Sequence, residues 1–132
     1  MAKKELTYKG KTVDELKKIS LQDFIKLVPS RQRRTLMRGF TEPQKILLKK
    51  IRAVIAGKYK KPIKTHCRNM IIVPEMLDMI INVYTGKDYM PVMITPEHLG
   101  KYLGEFGHTR RKVEHSAPGI GATKSSAAAS VK

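Results

Sequence analysis

Residues 63–95, IKTHCRNMIIVPEMLDMIINVYTGKDYMPVMIT, decide the fold class that this chain can adopt. At the start of this stretch, apolar and polar side chains alternate over residues 63–70. Alternation with a period of two is typical of a half-buried strand, and it places Lys64, His66 and Arg68 together on the outer side. We therefore predict a first strand with one side in the core and a basic row on the other side.

Two further strands and a hairpin are predicted within the same stretch. Residues 80–84 and 89–95 are rich in β-branched and aromatic side chains, and the turn signal TGKD at 85–88 separates them. Pro91 lacks the N–H that a central strand would use, so it predicts an edge strand or a bulge. The three runs together predict a small, mainly antiparallel three-stranded sheet. A short helix is expected at 95–104, because a threonine, a proline and an acid stand in the preferred order at its start.

The residues ahead of the sheet predict short helices, because helix-capping residues recur there. Thr12 and Ser20 are each followed three residues later by an acid, which is the capping-box pattern, and Thr41 opens a longer run with helical apolar spacing. A further helix is expected from Ser30, within the run SRQRRTLMRGF. Helices followed by a small sheet predict an α+β fold.

The composition divides the chain into three regions. We expect a helical N-terminal region with a basic cluster at 1–62, an α+β core at 63–108 and an extended tail at 109–132. The tail is rich in Ser, Ala and Gly and offers no apolar face. It is therefore predicted to be a disordered, basic segment that becomes ordered only against a partner.

Positive charge is the strongest compositional signal. The formal net charge is +16 and the isoelectric point is about 10.1. Residues 31–68 hold thirteen Lys and Arg and a single acid, Glu42, so three-quarters of the excess charge falls in under a third of the sequence. A polyanion is the natural partner of such a cluster, because every phosphate that it neutralises releases a counterion. A protein that is basic only for solubility would be expected to spread its charge more evenly.

Several other classes of protein are disfavoured. Cys67 is the only cysteine, so no intrachain disulfide can form, and a reducing compartment fits. The N-terminal sequence MAKKE is not followed by the apolar run of a signal peptide, and no apolar run is long enough to span a bilayer. We expect a soluble, cytoplasmic protein without a membrane partner.

The sequence contains His, Cys and Glu residues, which often act in catalysis or bind metals, but they lack the spacing that such sites need. His66 and Cys67 are neighbours that would point to opposite faces of a strand, and the sequence has no Cys pair or His-Glu-x-x-His run, so no metal site is predicted. The Gly-Ile-Gly run at 119–121 is too short for dinucleotide binding. Glu97 and Glu105 are more simply explained as local hydrogen-bond acceptors than as an acid–base pair. We expect neither an enzyme nor a cofactor.

Residues 85–109, TGKDYMPVMITPEHLGKYLGEFGHT, carry a specific motif. It runs Thr-Gly-Lys, six residues, Ile, four residues, Leu-Gly, two residues, Leu-Gly-Glu-Phe, two residues and Thr. This pattern resembles the signature of the universal small-subunit ribosomal protein nineteen family, called protein fifteen in the eukaryotic cytoplasmic ribosome. SRQRR at 30–34 and PGIGATKSS at 118–126 resemble the archaeal and eukaryotic branch of that family.

The resemblance implies a structural component of the ribosome. Members of the family are small α+β domains in the head of the small subunit. They bind the 3′ domain of small-subunit ribosomal RNA beside ribosomal protein thirteen, and their C-terminal tails extend toward the decoding region and transfer RNA. The charge cluster, the small core and the basic tail of this chain agree with that expectation.

The residues expected to contact RNA come from the charge cluster and from the region around the motif. Arginines of the SRQRR run should bind phosphates bidentately, and the basic row of the first strand has a repeat of about 6–7 Å. We expect recognition through RNA shape and backbone and not mainly through stacking platforms. The predicted RNA-binding residues are Arg31, Arg33, Arg34, Arg38, Lys64, His66, Arg68, Lys87, His108, Thr109, Arg110, Arg111 and Lys112.

Some alternatives stay open at the level of sequence. The same charge would suit a general RNA- or DNA-binding protein outside the ribosome, a small nuclease or a basic helix on a membrane surface. The nuclease would need an acid–base pair, and the membrane helix would need longer uninterrupted apolar faces. Gly100 and Gly104 could allow RNA to approach closely or could pack against the sheet. Lys45, Lys49 and Arg52 of the helix after Thr41 could face RNA or only solvent.

Overall fold

In a computed structural model of the chain, residues 7–110 and three isolated positions (112, 119 and 124) are described. The predicted tail at 109–132 lies almost wholly outside the described residues, and so does Arg111. In the described part of the chain, no helix is both long and apolar enough to cross a membrane.

Four helices precede the sheet, as the caps predicted. They are α1 (Val13–Lys18), α2 (Leu21–Leu27), α3 (Ser30–Met37) and α4 (Glu42–Ile55). The backbone N–H groups of Thr12 and Thr41 each donate to the side chain three residues on, at 3.0 Å. Ser20 accepts from the backbone N–H of Asp23 at 3.2 Å. These bonds satisfy backbone groups that would otherwise lack a partner at a helix start, so they define where the helices begin.

The sheet contains three strands in the order β1–β2–β3. The strands are β1 (Ile63–Thr65), β2 (Ile80–Tyr84) and β3 (Tyr89–Met93). β2 and β3 form the predicted antiparallel hairpin, in which Tyr84 lies opposite Tyr89 and Ile80 opposite Met93. Pro91 lies on β3, which is an edge strand as predicted. The α+β fold class is therefore confirmed.

The pairing of β1 with β2 is parallel, which the sequence pattern did not predict. Ile63 lies opposite Ile81 in this pair, so the sheet is mixed. Parallel neighbours need a crossover of about a dozen or more residues, and residues 66–79 supply it.

The first strand is shorter than the predicted 63–70, because β1 ends at Thr65. The hydroxyl of Thr65 accepts a hydrogen bond from the N–H two residues on at 3.0 Å, and the N–H of Arg68 donates to the carbonyl of His66 at 2.8 Å. These local bonds turn the backbone away from the sheet. The prediction that Lys64, His66 and Arg68 form one row on a strand is therefore wrong.

Two single-turn 3₁₀ helices, Pro96–His98 and Leu103–Glu105, replace the short helix predicted after the sheet. Between them, Gly100 has a φ of +73°, which interrupts any continuous helix. The backbone of residues 100–103 forms hydrogen bonds with residues 70–72 at 2.9–3.1 Å. This long-range pairing uses backbone groups that an α-helix would have bonded internally.

One hydrophobic core joins the helices to the sheet. Its buried members include Leu16, Phe24, Leu47 and Ile51 from the helices and Ile63, Ile81, Val83 and Val92 from the strands. The opposite face of the sheet carries Ile80 and Met93, which are 58% and 59% exposed. The sheet is thus buried on one face and open to solvent at these positions on the other. The division of the chain at residue 62 stays a prediction.

Candidate nucleic-acid interface

Three exposed arginines, two on α3 and one at the residue that directly follows it, form one face. Arg31, Arg34 and Arg38 stand three and four residues apart, so they fall within about 60° of one another around the helix axis. None of the three guanidinium groups has a hydrogen-bond or ion-pair partner among the described residues, and together with Thr35 they line an open cavity. We call this the α3 arginine face. It presents three planar donor groups in one direction, which suits the binding of several phosphates.

Arg33 lies on the other side of the same helix. Its Nε donates to the carbonyl of Ile25 at 3.2 Å, and its Nη2 donates to the carbonyls of Lys26 and Val28 at 3.0 and 3.2 Å. These carbonyls belong to the last turn of α2, where the backbone oxygens lack helical partners. Arg33 therefore caps α2, and its predicted contact with RNA stays a prediction without geometric support.

The side chain of Arg68 also forms hydrogen bonds within the protein. Its guanidinium donates to the carbonyls of Tyr84, Gly104 and Gly107 at 2.7, 2.8 and 2.7 Å. The side chain thereby joins the end of β2 to the segment that leads toward the C-terminus. The turn that follows β1 directs Arg68 inward, whereas Lys64 and His66 stay exposed.

An aromatic cluster surrounds these two exposed residues. The ring of His66 lies 4.4 Å from the ring of Tyr84 and 5.4 Å from that of Tyr89, and Lys64 Nζ lies 5.3 Å from the Tyr89 centroid. The tyrosines were not predicted as site residues, because aromatics make up only 6% of the chain. Tyr84 and Tyr89 flank the predicted hairpin turn, and residues in such positions become cross-strand neighbours. Their proximity could therefore have been predicted from the sequence.

The two glycines left open by the sequence pack against protein. A Cβ atom at Gly104 would lie 3.0 Å from both Cβ and the carbonyl oxygen of Arg68. At Gly100 it would lie 3.0 Å from the hydroxyl of Tyr8 and 3.1 Å from Cγ1 of Val28. All four distances are shorter than ordinary van der Waals contact. The structure therefore supports close packing within the protein at both positions, although the residues in contact (Tyr8, Val28 and Arg68) lie outside the sheet named in the prediction.

The cations of α4 divide into paired and free groups. Lys45 forms an ion pair with Glu42 at 2.7 Å. Arg52 contacts both carboxylate oxygens of Glu75 at 2.9 and 3.0 Å, and this hydrogen bonding raises the pKa of Arg52. Lys49 is exposed and has no such partner within the described residues. It is therefore better placed for an external anion than its two neighbours.

The remaining predicted site residues are exposed. Lys87 lies in the hairpin turn, and the others follow the second 3₁₀ helix near the end of the continuous described segment. These exposed residues are Lys87, His108, Thr109, Arg110 and Lys112. They are accessible to a large ligand, and no contact with another described residue assigns them a different role.

A groove continues from the α3 arginine face toward the core. It has a volume of about 610 Å³ and is lined by Arg31 and Arg38 on one side and by Asn69 and Tyr102 on the other. Gln44 also lines the groove, and its side-chain amide donates a hydrogen bond to the carbonyl of Asn69 at 3.2 Å, which holds these two lining residues together. Guanidinium groups beside amide and hydroxyl groups can bind both phosphate and sugar oxygens of a folded RNA. Within the described ranges, no group of three or more His, Cys, Asp and Glu could hold a metal ion.

Comparison with known proteins agrees with the motif at 85–109. The profile of the family described as Ribosomal protein S19 matches residues 34–115. A curated protein from the archaeon Saccharolobus solfataricus, named small ribosomal subunit protein uS19, is 50% identical over 124 residues, which cover 93% of this chain and 89% of the relative. The predicted family and its archaeal and eukaryotic branch are thus confirmed. The chain belongs to the ribosomal protein S19 family and is a structural constituent of the small ribosomal subunit.

Proposed function

We propose that this protein binds the 3′ domain of small-subunit ribosomal RNA in the head of the subunit. The α3 arginine face carries the proposal, because Arg31, Arg34 and Arg38 are exposed and their guanidinium groups have no hydrogen-bond or ion-pair partner among the described residues. Each guanidinium group is a planar fork of donors that can bind a phosphate bidentately, so it loses less side-chain freedom per hydrogen bond formed than a lysine does. Lys64, His66 and the exposed residues near the C-terminal end of the core extend the same surface chemistry.

Recognition on this surface is expected to depend on the shape and charge of the RNA. Arginines and lysines bind the sugar–phosphate backbone, and that contact carries little information on base identity. Binding should therefore weaken steeply as the salt concentration rises. Arg33 and Arg68 support this surface through bonds to the protein's own backbone, because their guanidinium groups hold the end of α2 and the segment at 104–107 in place.

The finer assignments follow from membership in the family. We infer that the protein lies beside ribosomal protein thirteen in the cytoplasmic ribosome. The tail at 109–132 is proposed to extend toward the decoding region and transfer RNA, and its basic, Gly-rich and Ser-rich composition supports this role.

A crosslinking map in the organism's own cells tests the proposal directly. The protein would be crosslinked to RNA, purified under denaturing conditions, and the attached fragments sequenced. Recovery concentrated in the 3′ domain of small-subunit ribosomal RNA is the expected result. Fragments scattered over messenger RNA, DNA or other ribosomal domains would contradict the assignment to the head.

A further inference from the structure

We propose that the cavity between α4 and β1 binds a single unpaired base of ribosomal RNA, an inference that rests on the proposed function. The cavity opens between the first half of α4 and the end of β1 and has a volume of about 240 Å³. Its walls combine apolar side chains, one aromatic ring and two ammonium groups. Such a base site would add stacking to the backbone contacts expected from the sequence.

The size of the cavity suits one base. Its volume is several times the roughly 30 Å³ that one water molecule occupies in the liquid. It falls below the roughly 300–1,000 Å³ of common sites for drug-sized molecules. Because the cavity is open to solvent, a base could enter while its sugar and phosphate stay on the protein surface.

Apolar side chains of α4 form one wall. Ile46 is 53% exposed, and Pro43 and Leu47 line the cavity next to it. Contact of an apolar side chain with water is unfavourable in proportion to the exposed area, so a flat base that covers Ile46 would stabilise the complex.

The ring of His66 supplies an aromatic surface on the side of β1. It packs against two tyrosines that contact each other, with the Tyr84 ring centroid 4.4 Å from its own and the hydroxyl of Tyr89 3.2 Å from its Nε2 atom. A ring that is already held in place loses little freedom when a ligand binds. Stacking on such a ring accepts any base, because every base has a π face.

The charges around the cavity favour a nucleotide over an apolar peptide. Lys50 and Lys64 line it, and no carboxylate from the described part of the chain does. Lys50 has no ion-pair partner among the described residues, and Lys64 makes its contact with the Tyr89 ring at 5.3 Å. The phosphate attached to a bound base would bring negative charge close to both ammonium groups.

A matched pair of substitutions in α4 tests the site in the full-length protein. Ile46→Asp places a carboxylate in the cavity, and Ile55→Asp makes the same change at an isoleucine that is 61% exposed outside it. Affinity for full-length small-subunit ribosomal RNA is measured for both variants and for the unchanged protein at one salt concentration. Ile46→Asp should raise Kd by roughly 5- to 150-fold, the range for one stacked base. Ile55→Asp should stay within about threefold, as expected for a surface substitution.

Photocrosslinking of the unchanged protein to the same RNA gives a second measurement that needs no variant. Trypsin cleaves after Lys64 and Arg68, so the cavity residues His66 and Cys67 fall in the short peptide 65–68. A nucleotide adduct on that peptide, or on the peptide that begins at Ile46, is the expected result.

The outcomes separate this inference from the proposed function. If the RNA binds but both variants bind equally and adducts map elsewhere, the base site is wrong while the proposed function stands. If Ile46→Asp spares RNA binding but abolishes contact with a neighbouring ribosomal protein, the cavity has a protein occupant and the inference is overturned. If the unchanged protein fails to bind the RNA, both proposals fall.

Discussion

Alanine substitution of the neighbouring residues Arg33 and Arg34 should have opposite consequences. Arg33 donates three hydrogen bonds to carbonyls at the end of α2, whereas the guanidinium of Arg34 has no partner among the described residues. Arg33→Ala should therefore destabilise the fold and spare the phosphate contacts. Arg34→Ala should leave the fold intact and weaken RNA binding.

The magnitude for Arg33 follows from its three bonds. A hydrogen bond from a charged donor contributes about 1.5–3 kcal/mol at most, and less where water can replace the lost donor. Arg33 is exposed to solvent, so water can replace part of the lost hydrogen bonding. We therefore expect Arg33→Ala to lower the free energy of unfolding by about 1–2 kcal/mol, or Tm by roughly 4–10 °C. Arg34→Ala should change the free energy of unfolding by less than about 0.5 kcal/mol.

The binding measurement completes the comparison. Loss of one phosphate contact should reduce the slope of log K against log salt by about 0.7–0.9 for Arg34→Ala, with no change for folded Arg33→Ala. Thermal unfolding followed by circular dichroism gives the stability, and titration of small-subunit ribosomal RNA over a range of salt gives the slope. An equal loss of Tm in both variants, or an equal change in slope, would show that the two arginines do not have these separate roles.

Three further perturbations test other parts of the structure. Arg68→Ala should lower the free energy of unfolding by about 2–4 kcal/mol, because three carbonyls lose a charged donor, and amide hydrogen exchange near Gly107 should accelerate. Unchanged exchange there would contradict the role of Arg68. Hydrogen bonding to Ser20 and to Lys26 lowers the pKa of Asp23 in the folded protein below its ordinary value of 3.8. The ionised Asp23 side chain therefore stabilises the fold above pH 3.8. This stabilisation is lost as the pH falls through the lower pKa of the folded protein. The difference in urea midpoint between the unchanged protein and Asp23→Asn should therefore vanish in strong acid, and a difference that persists there would exclude this linkage. Deletion of residues 113–132 should leave Tm nearly unchanged, and a fall of many degrees would show that the tail contributes to the fold.

Local signals predicted most of the backbone correctly. The caps at Thr12, Ser20 and Thr41 and the turn between β2 and β3 involve residues within about four positions of one another. The hydrogen bonds of such caps and turns form between residues that are close in sequence, so they can be predicted without knowledge of the tertiary structure. The extent of β1 and the length of the helix that begins at Pro96 were mispredicted, because a local turn ends the strand and backbone bonds to residues 70–72 interrupt the helix.

The candidate site was predictable as a charged region but not residue by residue. The sequence correctly indicated a concentration of cations at 31–68, and the spacing of Arg31, Arg34 and Arg38 already implied a shared helix face. The exposed Ile46 and the cavity beside it could not be inferred, because they depend on how α4 and β1 lie against each other.

The sequence by itself determined the net charge, its concentration in one segment, the helix starts and the family motif. Only the tertiary structure decided which arginines are free for RNA. The carbonyls that Arg33 binds lie 5–8 residues away, and those that Arg68 binds lie 16, 36 and 39 residues away. Arg31, Arg34 and Arg38 carry the same guanidinium group, yet the fold brings no acceptor among the described residues within its reach. The guanidinium group is the same in every arginine, but the backbone oxygens that it binds depend on which carbonyl groups the folded chain places beside it.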